Sequence, residues 1–358
     1  MYTNIKIFSS KRITIISLIL TIYFFVSCQP DIDKITLNQT NLELNVNETF
    51  QLKAVNEPKK ASQIVEWVSS KPNIAVVNDN GLVKAISPGE CEIKAIANDK
   101  EAICKVFINS KTFKVNEVEF KMITVEGGTF IMGTNSDEAF EDEKIPHEVT
   151  LSTYYIGETE VTQALWNAVM GNIPTQINTS VSDLKGENRP IFFVSWNDIC
   201  NTNGFLDKLN TILADKLPIG YSFALPTEAQ WEYAARGGKY SQNYKYSGSD
   251  NIDEVAWYIN NTGGKGSKDV KTKMPNELGI YDMSGNAGEW CYDWYHPYYY
   301  HNSEKVDPTG PDEGSDRTNR NGGFRAKATG CAVWSRFYDP PTTADDFISF
   351  RLALVKSK

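Results

Sequence analysis

Histidine is nearly absent. Three occur in 358 residues, at positions 147, 296 and 301, too few and too scattered for a three-histidine metal site. Cysteine is sparse and odd in number once Cys28 is set aside: Cys91, Cys104, Cys200, Cys291 and Cys331 leave at least one thiol unpaired and show no zinc spacing. Zincin, P-loop and nucleophile-elbow motifs are missing, and Gly263-Gly264-Lys265-Gly266-Ser267 lacks the P-loop spacing. Positive charge is in deficit, with 36 basic against 45 acidic residues and a net charge of −9, which disfavours nucleic acid as a partner. With 41% hydrophobic and 12% aromatic residues the chain is not disordered, and nothing in it reads as collagen, coiled coil or polytopic membrane protein.

At the amino terminus Lys6, Lys11 and Arg12 precede the uncharged run Ile13 to Ser27, which is too short to cross a bilayer comfortably. This is the layout of a secretory signal over residues 1–27. Phe25-Val26-Ser27-Cys28 resembles a bacterial lipobox, which predicts a lipidated Cys28 and a tether over residues 28–31. The expected place is the bacterial cell envelope, periplasmic or surface-exposed, held to the membrane through the lipid anchor.

Residues 32–112 read as one all-β domain. Short alternating runs (Ile35 to Leu37, Leu42 to Val46, Thr49 to Val55, Val65 to Val68, Ile74 to Val77, Leu82 to Ile86, Cys91 to Ile96, Ala102 to Ile108) are divided by turn residues such as Asp79-Asn80-Gly81 and Asn98-Asp99. That pattern predicts an antiparallel β-sandwich with Trp67 in its core. Cys91 and Cys104 both point inward, either as a disulfide or as two buried thiols. Val65 to Val77, then Gly81 to Ala85 and Ser87-Pro88-Gly89, resemble the bacterial Ig-like domain of group 2, which implies a spacer or adhesive module.

Beyond Asn116 the texture becomes aromatic and Gly-rich. Helices are expected over Val161 to Met170 and Trp196 to Leu209, and from Thr227, which can cap Gln230. Glu158 and Glu160 could be an acid and base pair, or simply paired or solvated acids beside a helix start. Across residues 118–356 an ordered set of motifs follows: Val125 to Gly133, Pro146 to Val149, Glu158 to Thr162, Val194-Ser195-Trp196, Leu225 to Gly238, Pro275 to Trp290, Gly322-Gly323 and Phe350 to Ala353. Together they resemble the formylglycine-generating enzyme family, also called the sulfatase-modifying factor domain. The implied fold is an α+β, loop-rich variant of the C-type lectin fold, so the whole chain is expected to be multidomain.

The resemblance also implies chemistry. Asp282 and Glu289 through side chains, and Gly285 and Ala287 through main-chain oxygens, correspond to a structural calcium site, and hard oxygen ligands in a tight loop suit that ion. Active members of the family hold copper(I) on two cysteines five residues apart, and soft thiolates suit that metal. Here only Cys331 is present, with Ala326 or Lys327 at the other position and Phe324 in place of a serine. Two functions follow as expectations. In one, the domain has lost the copper pair and binds a glycan, a peptide or an envelope protein, with Tyr298, Tyr299 and Tyr300 as a candidate platform. In the other it remains an oxidase that uses copper and Cys331.

Overall fold

The structure, a computed structural model, describes residues 31–44, 48–59, 61, 64–86, 89–108, 110–180 and 182–356. The expected signal segment and Cys28 lie outside these residues.

Among the described residues the amino-terminal module has nine strands: β1 (Lys34–Leu37), β2 (Asn41–Leu44), β3 (Thr49–Gln51), β4 (Ala54–Glu57), β5 (Glu66–Ser69), β6 (Ala75–Val77), β7 (Leu82–Ala85), β8 (Gly89–Ala97) and β9 (Lys100–Ile108). Along β8 the alternate residues Cys91, Ile93, Ala95 and Ala97 are buried, the period of two expected of a strand with one covered face. The sheets run β2-β9-β8-β5 and β3-β7-β6, with β1 paired to β4. The expected run Thr49 to Val55 divides because β3 joins β7 while β4 joins β1. The pairing β2–β9 is parallel, a departure from the antiparallel sandwich. No hairpin joins these two strands, so no tight turn imposes the opposite direction.

Cys91 faces Val106 and Cys104 faces Ile93, so the two thiols occupy different rows of the ladder. Both are free and buried, and desolvation raises both, Cys104 to about 11. Trp67 is half-buried between the two clusters of this module. Gly81 lies beneath its ring with φ +80°, and a Cβ there would come within 2.7 Å of the indole, so glycine is required.

The carboxy-terminal module adds β10 (Ser110–Val115), β11 (Val118–Val125), β12 (Gly128–Met132), β13 (His147–Leu151), β14 (Tyr154–Gly157), β15 (Tyr221–Ala224), β16 (Gly288–Trp294), β17 (Arg317–Arg320), β18 (Arg336–Asp339), β19 (Ile348–Ser349) and β20 (Ala353–Lys356). Its helices are α1 (Gln163–Met170), α2 (Gln176–Thr179), α3 (Trp196–Cys200), α4 (Phe205–Ile212), α5 (Glu228–Ala235), α6 (Ile252–Val255) and α7 (Ile259–Thr262). An antiparallel sheet β10-β11-β14-β20-β15 separates two cores. Met122 and Leu354 turn to the core of α1, α3 and α4, while their neighbours Ile123 and Val355 turn to that of α5.

A second sheet, β18-β17-β16-β19, leans on the same cores, with Trp290 of β16 in the first and Cys291 in the second. The helix expected over Trp196 to Leu209 is two helices. Asn201-Thr202-Asn203-Gly204 interrupts it, with Asn203 at φ +65° and a Cβ at Gly204 only 2.7 Å from the Asn201 carbonyl.

Candidate binding cleft and its buried supports

Helix α5 starts where the sequence indicated. Thr227 and Gln230 form a reciprocal capping box. Its two acids, Glu228 and Glu232, stand one turn apart and are fully buried, each requiring a cation. Arg336 of β18 binds Glu228 bidentately, at 2.8 Å from both Nε and Nη2. Arg320 of β17 bridges both acids, at 3.0 Å to Glu228 and 2.9 Å to Glu232. Burial opposes ionisation of both carboxyls, but Arg336, Arg236 and Arg320 outweigh it and hold both below the usual carboxylate range. Asp293 beside them has no such partner. It accepts from the Glu228 backbone N–H at 2.8 Å, and burial, reinforced by the Glu228 charge, pushes it up to about 8.

Glu289 meets Arg351 in a second bidentate pair, at 2.6 and 2.7 Å, and also accepts from Trp231 Nε1 at 2.7 Å. Glu158 pairs with Lys271 at 2.8 Å, whereas Glu160 is buried and raised by desolvation and by Asp282 and Glu289. The two glutamates are thus in different surroundings, Glu158 an ion-paired, half-buried acid and Glu160 a fully buried one.

The implied calcium ligands are brought together, but this chain's own donors already engage them. Both Glu289 oxygens are taken by Arg351. The carbonyls of Gly285 and Ala287 accept from Asn321 Nδ2. Asp282 accepts from the Lys271 N–H through Oδ2, and only its Oδ1 is buried without a partner among the described residues. With a guanidinium against one ligand and an amide against two others, the set does not fit calcium.

Copper fares no better. Cys331 is buried against Tyr246, Val255 and Tyr258, with Ala326 packed beside it, and desolvation pushes its thiol up to about 12. Lys327 is exposed. Cys200 and Cys291 pack in other clusters, and no group of three metal-ligating side chains occurs among the described residues. One protonated thiol does not supply the linear dithiolate that copper(I) favours.

The candidate platform Tyr298 to Tyr300 divides. Tyr298 is exposed, Tyr299 half-buried, and Tyr300 is a core residue whose hydroxyl donates to Glu228 at 3.1 Å. None of the three lines the large cleft, which lies across β16, β17 and β18.

That cleft has a volume of about 930 Å³ and an apolar lining in which Phe140, Tyr295, Phe337, Tyr338 and Phe347 are prominent. Tyr295 and Tyr338 stack at 4.0 Å between ring centroids, and Phe140 and Tyr338 are exposed. Its two arginines are already bound to carboxylates, Arg336 to Glu228 and Arg325 to Asp346 at 2.6 and 2.7 Å. Of its acids, Glu141 pairs with Lys144 at 3.2 Å, while the other two have neutral donors. Asp142 accepts from Tyr295 Oη and Asp339 from Asn319 Nδ2, both at 2.9 Å, and Arg336 approaches Asp142 only to 3.9 Å. Sequence reading missed this surface because its aromatic residues come from segments as far apart as Phe140 and Phe347.

Fold and site together define a loop-rich domain of the sulfatase-modifying type behind an Ig-like module. The family model described as the sulfatase-modifying factor enzyme 1-like domain matches residues 109–356, and the bacterial Ig-like domain (group 2) matches residues 31–106. The chain belongs to the sulfatase-modifying factor family. It is 38% identical over 232 residues to the chaperone protein LppX of Paenibacillus barcinonensis, covering 53% of this chain and 77% of the relative. It is 29% identical to the formylglycine-generating enzyme of Streptomyces coelicolor, covering 64% of this chain and 88% of that enzyme. Among solved structures, Treponema denticola variable protein 1 is 34% identical with a TM-score of 0.59, covering 68% of this chain and 98% of that one. PvdO from Pseudomonas aeruginosa shares the fold at 22% identity and a TM-score of 0.53, covering 68% and 97%.

Proposed function

We propose that this chain is an exported, lipid-anchored envelope protein whose Ig-like module presents a sulfatase-modifying-factor domain used for binding rather than for cysteine oxidation. Its ligand is a polypeptide segment bearing basic side chains, held in the aromatic cleft. The observation that carries this reading is that Cys331 is fully buried behind the cleft residue Ala326 and does not itself line the cleft, which offers aromatic faces and acids. Aromatic faces attract Lys and Arg, and each such contact is worth about 0.5–2 kcal/mol. Asp142 and Asp339 add complementary charge, because the arginines nearby are spent on other carboxylates. A relative named as a chaperone is consistent with a polypeptide ligand. Cys28 supplies the anchor, and labelled palmitate should be incorporated by the wild type and not by Cys28→Ser.

The test has two arms. In fluorescence anisotropy, Lys- and Arg-containing peptides should bind, acidic peptides of equal length should not, and Tyr338→Ala should weaken binding about tenfold. Equal binding of acidic peptides, or binding of neutral glycans alone, would overturn the ligand class. In the second arm the protein is incubated with copper(I), oxygen and a cysteine-containing sulfatase peptide. An aldehyde product seen by mass spectrometry would overturn the binding reading in favour of the oxidase.

A further inference from the structure

The loop from Asp282 to Glu289 is folded like a cation cage with an amide at its centre. The carbonyls of Asp282, Gly285 and Ala287 converge on a single atom, Asn321 Nδ2, at 3.1, 2.5 and 2.8 Å. Main-chain oxygens gathered around one point are how tight loops hold a hard cation. Here the point is occupied by an NH₂ group, which carries two protons and shares them among three acceptors.

The other half of the same amide is equally engaged. Asn321 Oδ1 accepts from the Gly285 N–H at 2.6 Å, so the side chain grips the loop through donor and acceptor at once. The backbone is set to deliver it. Asn321 is buried at 1% exposure with φ +66°, a left-handed conformation that asparagine adopts more readily than most other residues. Gly285 is fixed from the other side: its φ is +80°, and a Cβ would lie 2.4 Å from the Trp257 carbonyl.

A second contact borders the loop. Glu289 meets Arg351, part of the Phe350 to Ala353 motif, through two short bonds. Arg351 is itself held by the carbonyls of Gly157 and Tyr281, both at 3.0 Å.

We propose that Asn321 replaces the structural calcium ion of the family in this chain. The loop is closed by an internal amide, and the domain holds its shape whatever the calcium activity outside the cell. Because Asn321, Gly322 and Gly288 line the aromatic cleft, the same amide keeps one wall of that cleft in place without metal.

The experiment is thermal unfolding of the purified full chain in chelator and in millimolar calcium, a readout that needs no ligand and is independent of the proposed binding function. The wild type should show the same Tm in both. Asn321→Ala should lower Tm by roughly 5 °C or more in chelator. Asn321→Asp, which turns a carboxylate toward the three carbonyls, should lower it further in chelator and recover part of the loss in calcium. A wild-type Tm that falls in chelator and returns with calcium overturns the proposal, even where the variants fail to fold. So does an Asn321→Ala protein as stable as the wild type.

Discussion

Asp293 is an acid whose folded environment favours its proton. Burial raises it to about 8, with the Glu228 charge adding to the effect, while an aspartate in the unfolded chain titrates near 3.9. Between about pH 4 and 8 the folded state holds a proton that the unfolded state has released. Stability from this group therefore falls as pH rises through that window and levels off above it. Asp293→Asn keeps an oxygen for the Glu228 N–H and removes the ionisation. Its Tm should match or exceed that of the wild type at pH 8, and its Tm profile between pH 5 and 8 should be flatter. Parallel profiles would refute the assignment.

Arg320 makes the opposite case, a buried cation between two carboxylates. Arg320→Met strips Glu232 and Glu228 of one partner each inside the protein, and breaking such a pair costs about 3–5 kcal/mol in denaturant unfolding. Removing the exposed Lys114 partner of Glu117 should leave the denaturation midpoint unchanged.

Among the elements, α5 is the one whose beginning could be read residue by residue. Thr227→Ala, which removes the acceptor for the Gln230 N–H at 3.2 Å, should cost about 1 kcal/mol in urea unfolding. A loss near zero would mean that the buried glutamates alone hold the helix. Legibility followed the range of the forces. Caps and two-residue alternation are local, so α5, β8 and β9 could be placed from the sequence. Asn201 to Gly204 sits inside an apolar period that runs through it, so α3 and α4 looked continuous. The parallel direction of β2 against β9 is set by how the sheets meet, which no local pattern carries.

The site was harder still. Tyr298 to Tyr300 stand out as a run, yet Tyr300 is drawn inward by Glu228 while the cleft is assembled from Phe140, Tyr295 and Tyr338. The loop residues Asp282 to Glu289 were read as a calcium-ligand set, and they do lie together in one tight loop. Their partners Asn321 and Arg351 could not be assigned, because nothing in the spacing says that an amide 34 to 39 residues away reaches the carbonyls.

On the scale of the whole molecule the described residues form separate cores. The hydrophobic clusters of the amino-terminal module contain buried residues between Ile32 and Ile108 only, and those of the carboxy-terminal module contain buried residues between Phe113 and Leu354 only. Cooperative unfolding follows shared burial, so two cores with no common cluster should melt as two units. The carboxy-terminal unit also contains the Glu228, Glu232, Arg320 and Arg336 network, which the other unit does not touch. Calorimetry should therefore show two transitions, and Arg320→Met should lower only the one that belongs to the carboxy-terminal unit. A single transition whose calorimetric and van't Hoff enthalpies agree would mean instead that the Ig-like module and the cleft-bearing domain unfold as one body. In that case Arg320→Met would shift the whole curve.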